Sequence, residues 1–284
     1  MPPRTTPTAR QLRVGLELRK MRDSARKTTA DAASTLGLDR TKITQIEKGL
    51  YAISPERVRT LACEYQEGDS AYVEALAAVA SERRKGWWDE YRGVLPASLL
   101  DISELEHRAE GRIRTLQISH PPGLLQTEDT ARAIFEMVHP RLPARDLWAR
   151  IAHRMDRTQV LTRPGAVEYD AIVHEAALRM KFGGKDVARG QLEHLRTMAE
   201  RPNITVRVIT FDAPGFSGAG NAILHVGGAV PRLDTVQIDS VHGPIFLDDS
   251  NQLQNYRETL DAMERSALSP ADSIAFVDDL LKTS

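Results

Sequence analysis

The stretch from Thr28 to Gly49, TTADAASTLGLDRTKITQIEKG, constrains the fold of this chain more than any other. Two short runs with helical apolar spacing flank a turn that contains Gly37. Ala33, Leu36, Leu38, Ile43 and Ile46 fall where two helices crossing at a steep angle must touch, and Ala33 is small where they approach. Gly37 tolerates the positive φ that such a turn demands, because it has no Cβ. The first helix is expected from about Thr29 to Leu36, capped by Thr28 or Thr29. The second is expected from Arg40 to Lys48, capped by Asp39 and stopped by Gly49. This is the helix-turn-helix pattern, in which the second helix enters the major groove of DNA.

Helical spacing continues on both sides. Val14, Leu18 and Met21 form one stripe; Val58, Leu61, Ala62 and Tyr65 form another behind the Ser54-Pro55-Glu56 start; Tyr72, Leu76 and Val79 form a fifth helix. Cys63 is read as a core residue on the apolar side of the fourth helix. Residues 1–10 hold three prolines and two arginines without periodicity and are read as a flexible arm. Arg4 and Arg10 are weighed there as minor-groove contacts against disorder without contact.

Charge separates the two parts of the chain. Residues 1–60 carry thirteen basic and six acidic side chains, whereas the remaining 224 residues carry 25 basic and 33 acidic ones. The net charge of −1 therefore conceals a basic head that suits a polyanion and an acidic body that does not. On the second helix Ile43 and Ile46 point inward, so Arg40, Thr41, Thr44 and Gln45 project outward. Arg matches guanine O6 and N7, Gln matches adenine N6 and N7, and Thr offers a methyl or a hydroxyl. Lys42 and Lys48 are expected at phosphates, with Arg13, Arg19 and Arg22 as additions, and Glu47 is expected to cap or pair within the domain.

On the Ala33…Gly37 spacing, the Ile43/Ile46 pair and the Glu47-Lys48-Gly49 ending, residues 11–80 resemble the five-helix domain of Xre-type, phage-repressor-like transcriptional regulators. The resemblance implies base readers at Arg40, Thr41 and Gln45. Many such domains carry Gln at the start of the first of the two helices, where it touches a phosphate; Ala30 stands there in this chain.

Lys85–Pro96 (KGWWDEYRGVLP) breaks the helical pattern and is taken as the join, giving an arm over 1–10, a DNA-binding domain over 11–84, a linker over 85–100 and a second domain over 101–284. Trp87, Trp88 and Tyr91 in that linker are read either as partner anchors or as interdomain packing. Helices are expected over Ser103–Ile118, Thr127–Val138 and Ala144–Leu161. Beyond Pro164 the period changes to two around Val167–Val173. A helix follows near Val187–Ala199, strands over Ile204–Phe211, Ala222–Val226, Thr235–Ile238 and Ile245–Leu247, and two closing helices. The fold class is an all-α five-helix head followed by a mixed α/β (α+β) body.

The body segments PPGLLQTEDTARAIFE (121–136), HEAALRMKFGG (174–184), QLEHL (191–195), RPNITVRVITF (201–211) and ALSPADS (267–273) resemble one actinobacterial family, the WhiJ-like regulators. Relatives typically carry Tyr where this chain has Thr130. The resemblance implies a small BldB-like partner protein and control of development or specialised metabolism, with an antitoxin-like role as an alternative. A third reading is a repressor that answers to a small ligand. A lone head reads few base pairs, so a homodimer on two half-sites is expected.

Enzyme motifs fail in detail. His174-Glu175 lacks the second His of a zinc-protease helix, because Leu178 occupies that position. Gly215–Ala219 lacks the final Gly of a nucleophile elbow. No P-loop or dinucleotide fingerprint occurs, and the eight His show no metal-ligand spacing. No catalytic residue, cofactor or metal is therefore expected. No run of eighteen apolar residues occurs either, so a cytoplasmic, nucleoid-associated protein without membrane contact is expected.

Overall fold

The computed structural model describes residues 7–82, 85–215, 220–240 and 243–283. They divide into two compact units, Met1–Trp87 with Ala229–Leu233, and Trp88–Gly228 with Asp234–Ser284.

The first unit is helical: α1 (Ala9–Ser24), α2 (Thr29–Leu36), α3 (Arg40–Glu47), α4 (Pro55–Glu64) and α5 (Ser70–Ser81). Each start carries a side-chain cap, from Thr8, Thr28, Asp39, Ser54 and Asp69 in turn. These acceptors satisfy amides that a helix leaves orphaned at its N-terminus. Thr8 and Gln11 form a full capping box, so α1 begins inside the segment read as an arm. Arg10 lies in that first turn and donates to the Val79 carbonyl (2.8 Å), which removes it from any arm; Arg4 lies outside the described residues. Val14, Leu18, Ala33, Ile43, Ile46, Val58, Leu61, Tyr72 and Leu76 form the core. Cys63 is exposed rather than in that core, on the face of α4 opposite Leu61 and Ala62. The short segment Ala229–Leu233 completes this unit. Val230 and Leu233 pack on the core, and Arg232 stands 3.6 Å over the Tyr72 ring and 3.0 Å from Glu67.

In the second unit the described residues form a mixed six-stranded sheet, with α6 (Ala97–His107), β1 (Ile113–Gln117), α7 (Glu128–Glu136), α8 (Ala144–Arg157), β2 (Tyr169–His174), α9 (Glu175–Arg179), α10 (Lys185–Ala199), β3 (Ile204–Ile209), β4 (Ile223–Val226), β5 (Thr235–Ser240), β6 (Gly243–Leu247), α11 (Ser250–Ser266) and α12 (Pro270–Thr283) in chain order. The strand order is β3-β2-β1-β4-β5-β6. The first three strands are parallel, and β4, β5 and β6 continue as an antiparallel meander. One face packs Ile113, Tyr169, Val206 and Val208 against Leu192, Leu195, Val277 and Leu280 of α10 and α12. The other packs Leu116, Ile172, Ile209 and Val236 against Leu253, Leu260 and Met263 of α11.

The helix expected over Ser103–Ile118 is corrected. Its first part belongs to α6, and its second part is the central strand β1, paired with β2 on one side and β4 on the other. The helix expected to Leu161 stops at Arg157 and tightens into a 3-10 turn over Thr158–Leu161. The expected linker holds a 3-10 turn over Trp87–Tyr91 and the first turn of α6.

Candidate nucleic-acid interface

The local sequence fixes α3. The Asp39 carboxylate accepts from the Lys42 amide (2.7 Å), Ile43 and Ile46 are buried, and Gly37 turns the chain at φ 61°. Burying two isoleucines is worth about 1.5–3 kcal/mol each, enough to hold an eight-residue helix that would not persist alone. The outward face then follows from the helical period. Arg40, Thr41, Thr44 and Lys48 are exposed, and Lys42 and Gln45 are half-buried. Thr44 donates its hydroxyl to the Arg40 carbonyl (3.1 Å), which leaves its methyl and an oxygen lone pair facing outward. The Lys42 ammonium sits 5.2 Å from the Tyr51 ring centroid.

The far end of α3 is held by two contacts that the sequence did not disclose. A Cβ on Gly15 of α1 would stand 2.5 Å from the carbonyl oxygens of Ile46 and Glu47, so α1 and α3 meet backbone to backbone there. The Arg22 guanidinium makes a fork to Glu47 at 2.6 and 3.0 Å and donates to the Lys27 carbonyl. The hydrogen bond to Glu47 raises the Arg22 pKa above its ordinary value against the opposing effect of burial. Arg22 is therefore an internal tie and not a phosphate ligand, and Glu47 is the pairing residue that was expected. Arg13 is likewise engaged, 2.9 Å from Glu17 and donating to the Arg232 carbonyl (2.7 Å). Arg19 is exposed and lies 3.5 Å from Asp23.

At the start of α2 the Asp31 carboxylate accepts from the Thr28 amide and hydroxyl, which hold its pKa below the usual range. The Asp31 amide in turn donates to Thr28 Oγ1 (3.2 Å). Ala30, the position where the resemblance places a glutamine, offers no hydrogen-bonding side chain, and the neighbouring Asp31 carboxylate is taken up in the cap. Arg26, in the left-handed region at φ 54° and exposed, is a cation in the loop before α2 that sequence reasoning passed over.

The residues weighed as partner anchors lie elsewhere. Trp88 is buried in the second unit, edge-on to His107 at 5.1 Å with Arg108 over its ring. Tyr91 is half-buried and donates to Asp156, and Trp87 is half-buried at the end of the first unit. In the body, the side chains of the His174-Glu175 fragment make local contacts. His174 caps α9 by accepting from the Ala176 amide, and Glu175 binds the Phe211 amide and Arg179. Four residues of the Gly215–Ala219 loop, 216–219, lie outside the described residues. Among the described residues no three His, Cys, Asp or Glu side chains stand together as metal ligands. No described helix is long and apolar enough to cross a membrane.

A short helix backed by isoleucines, presented past a glycine turn and carrying Arg, Thr and Gln outward, defines a helix-turn-helix DNA-binding regulator. Residues 13–69 match a helix-turn-helix domain family, a span that runs from within α1 to just past the end of α4. Residues 99–279 match the family described as a domain of unknown function (DUF5753), and the chain belongs to that family. None of the curated proteins compared with the chain matches it.

Proposed function

We propose that the protein is a sequence-specific transcriptional repressor of the WhiJ-like, Xre-type kind. It binds its operator as a homodimer, and its body binds a small BldB-like partner protein that tunes DNA affinity. It acts by binding and carries out no chemistry. The observation that carries this reading is the outward face of α3, with Arg40, Thr41 and Thr44 exposed over a buried Ile43 and Ile46. The base-edge chemistry of Arg40 and Gln45 suits guanine and adenine in the major groove. Two heads on half-sites one turn of DNA apart would supply the specificity that one short helix lacks.

The test is equilibrium binding of the full chain to the promoter region of its own gene across a salt series. Each neutralised phosphate releases counterions, so affinity is expected to fall on the order of 10³–10⁵-fold between 50 and 200 mM salt for roughly 6–10 contacts in a dimer. A flat response, or equal affinity for unrelated duplexes, would overturn it.

A further inference from the structure

The inner side of α8 carries more positive charge than its surroundings answer. Arg150, His153, Arg154 and Arg157 recur there at helical spacing. Arg157 is matched by a fork to Glu106 at 2.8 and 2.6 Å, and His153 meets Ser103 Oγ at 2.7 Å. Arg150 and Arg154 are both half-buried, and neither makes an ion pair among the described residues. Arg150 Nε is buried with no hydrogen-bond partner. Arg154 donates from Nη1 to a neutral amide oxygen, Gln126 Oε1 (2.9 Å), and lies over the Phe135 ring at 5.1 Å. Charged side chains withdrawn from water are ordinarily paired, because their desolvation must be offset.

The carboxylates nearby are committed elsewhere. Glu106 gives both oxygens to Arg157, and Asp239 accepts from the Gln237 amide (2.7 Å). Asp146, one turn before Arg150 on α8, makes no ion pair with it. Burial and the Arg157 charge push the Arg154 pKa down to about 9 against the opposing pull of Glu106 and Asp239. The same charge reaches His120, whose pKa is lowered by burial and then by Arg154. The turn beside Arg154 is shaped to receive it. A Cβ at Gly123 would stand 2.6 Å from Arg154 Nη1, so a side chain there would displace the guanidinium. Gln126, which orients the group, is buried and donates to the Pro121 carbonyl (2.7 Å). This segment leaves the carboxyl end of β1, the strand at which the parallel half of the sheet meets the antiparallel half. Open α/β sheets bind ligands outside strand carboxyl ends, at a switch in topology of this kind.

From these observations we infer that the second unit binds the phosphoryl group of a small effector at Arg150 and Arg154, beside the turn that follows β1. Two guanidinium groups one helical turn apart suit the three oxygens and double charge of a phosphoryl group, whereas one fork would satisfy a carboxylate. Gln126 and Phe135 hold Arg154 without neutralising it, which keeps its charge for the ligand. Half-buried groups on the inner side of a helix are not open to the backbone of a duplex, so the phosphoryl group is that of a small molecule. The inference goes beyond the proposed function and depends neither on DNA binding nor on the partner protein.

The test follows thermal unfolding of the full chain by tryptophan fluorescence in pyrophosphate or in chloride at equal ionic strength. Millimolar pyrophosphate is expected to raise the midpoint by about 3 °C or more, as a ligand that binds only the folded state does. Arg150→Met and Arg154→Met are each expected to lose most of that rise, Arg150→Lys to keep part of it, and Lys48→Ala in the head to keep all of it. Each variant is read against its own chloride control, which removes differences in baseline stability, and the comparison among variants removes general salt effects. If Arg154→Met does not fold, Arg150→Met decides alone, since Arg150 has no hydrogen bond or ion pair to lose among the described residues. No rise above chloride in the wild type, an equal rise with succinate, or an undiminished rise in Arg150→Met overturns the inference. Loss of the rise in Lys48→Ala would place the pyrophosphate on the head and overturn it as well.

Discussion

Arg22 and Arg40 sit eighteen positions apart in a basic head and do opposite things, because one side chain is enclosed and the other is not. Arg40 is exposed at the start of α3, so Arg40→Ala is expected to leave the fold intact and to cost about 1–3 kcal/mol of discrimination at one base pair of the operator. Lys48→Ala should instead weaken all sequences alike and lower the salt slope by about one. Competition binding with operators varied one base pair at a time distinguishes the two. Arg22→Ala is a stability variant. It strands the half-buried Glu47 carboxylate and is expected to destabilise the head by about 1–3 kcal/mol, whereas Arg22→Met with Glu47→Leu together should cost far less. Chemical denaturation measures this. A variant with an unchanged midpoint but weaker DNA binding would return Arg22 to the phosphate contacts. Sequence spacing could not separate these arginines, because pattern reports which face a residue occupies and not whether a carboxylate from another helix meets it there.

At the scale of elements, the helices of the head were legible because each carries its own start and stop signal. Thr28, Asp39 and the Ser54-Pro55 pair cap where their side chains predict, and Gly37 and Gly49 take positive φ. The strand β1 was illegible for a physical reason. It is the central strand of the sheet, and Ile113, Arg114, Thr115 and Leu116 are all buried, so the alternation that reveals a half-buried strand is absent. Arg114 reads as surface in a sequence, yet it lies between Asp261 (2.7 Å) and Glu264 (3.1 Å) of α11. Gly15 was also passed over, since a lone glycine within a helical stripe carries no pattern signal. Gly15→Ala is expected to show the contact directly. Alanine favours a helix interior by about 0.5–1 kcal/mol over glycine, but its Cβ would overlap the carbonyls of Ile46 and Glu47 at 2.5 Å. Backbone cannot swing aside as a side chain does, so a net destabilisation on the order of 1–3 kcal/mol is expected. A rise in the denaturation midpoint would mean that α1 and α3 do not touch at this point.

For the molecule as a whole, the division of charge between head and body was plain from counting, but the protonation behaviour of the body depends on packing that counting cannot reach. His153 is 2% exposed, its Nε2 lies 2.7 Å from Ser103 Oγ, and the Tyr91 ring meets it edge-on at 5.1 Å. Burial, reinforced by the charges of Arg157, Arg154 and Arg150, pushes its pKa from 6.5 down to about 3. In the unfolded chain a histidine titrates near its ordinary value of about 6.5. Between those two values the unfolded state binds the extra proton and the folded state does not, so stability rises with pH across the window. The contribution is complete above the unfolded pKa and is lost on acidification, amounting to about 2 kcal/mol at pH 5 from this one group. Asp234 acts in a different range. Burial works to raise its pKa, but His225, the Gly228 amide and Arg257 together hold it lower, so its contribution is lost only as the pH falls below the ordinary carboxylate value. Urea unfolding followed by tryptophan fluorescence reports mainly the body, since Trp88 and Trp148 belong to it and only Trp87 belongs to the first unit. Wild type is expected to lose stability between pH 7.5 and pH 5, while His153→Gln, less stable at pH 7.5, loses less over the same interval. Parallel pH profiles for the two proteins would show that His153 is protonated in the folded body and that its packing with Ser103 and Tyr91 leaves room for the charge.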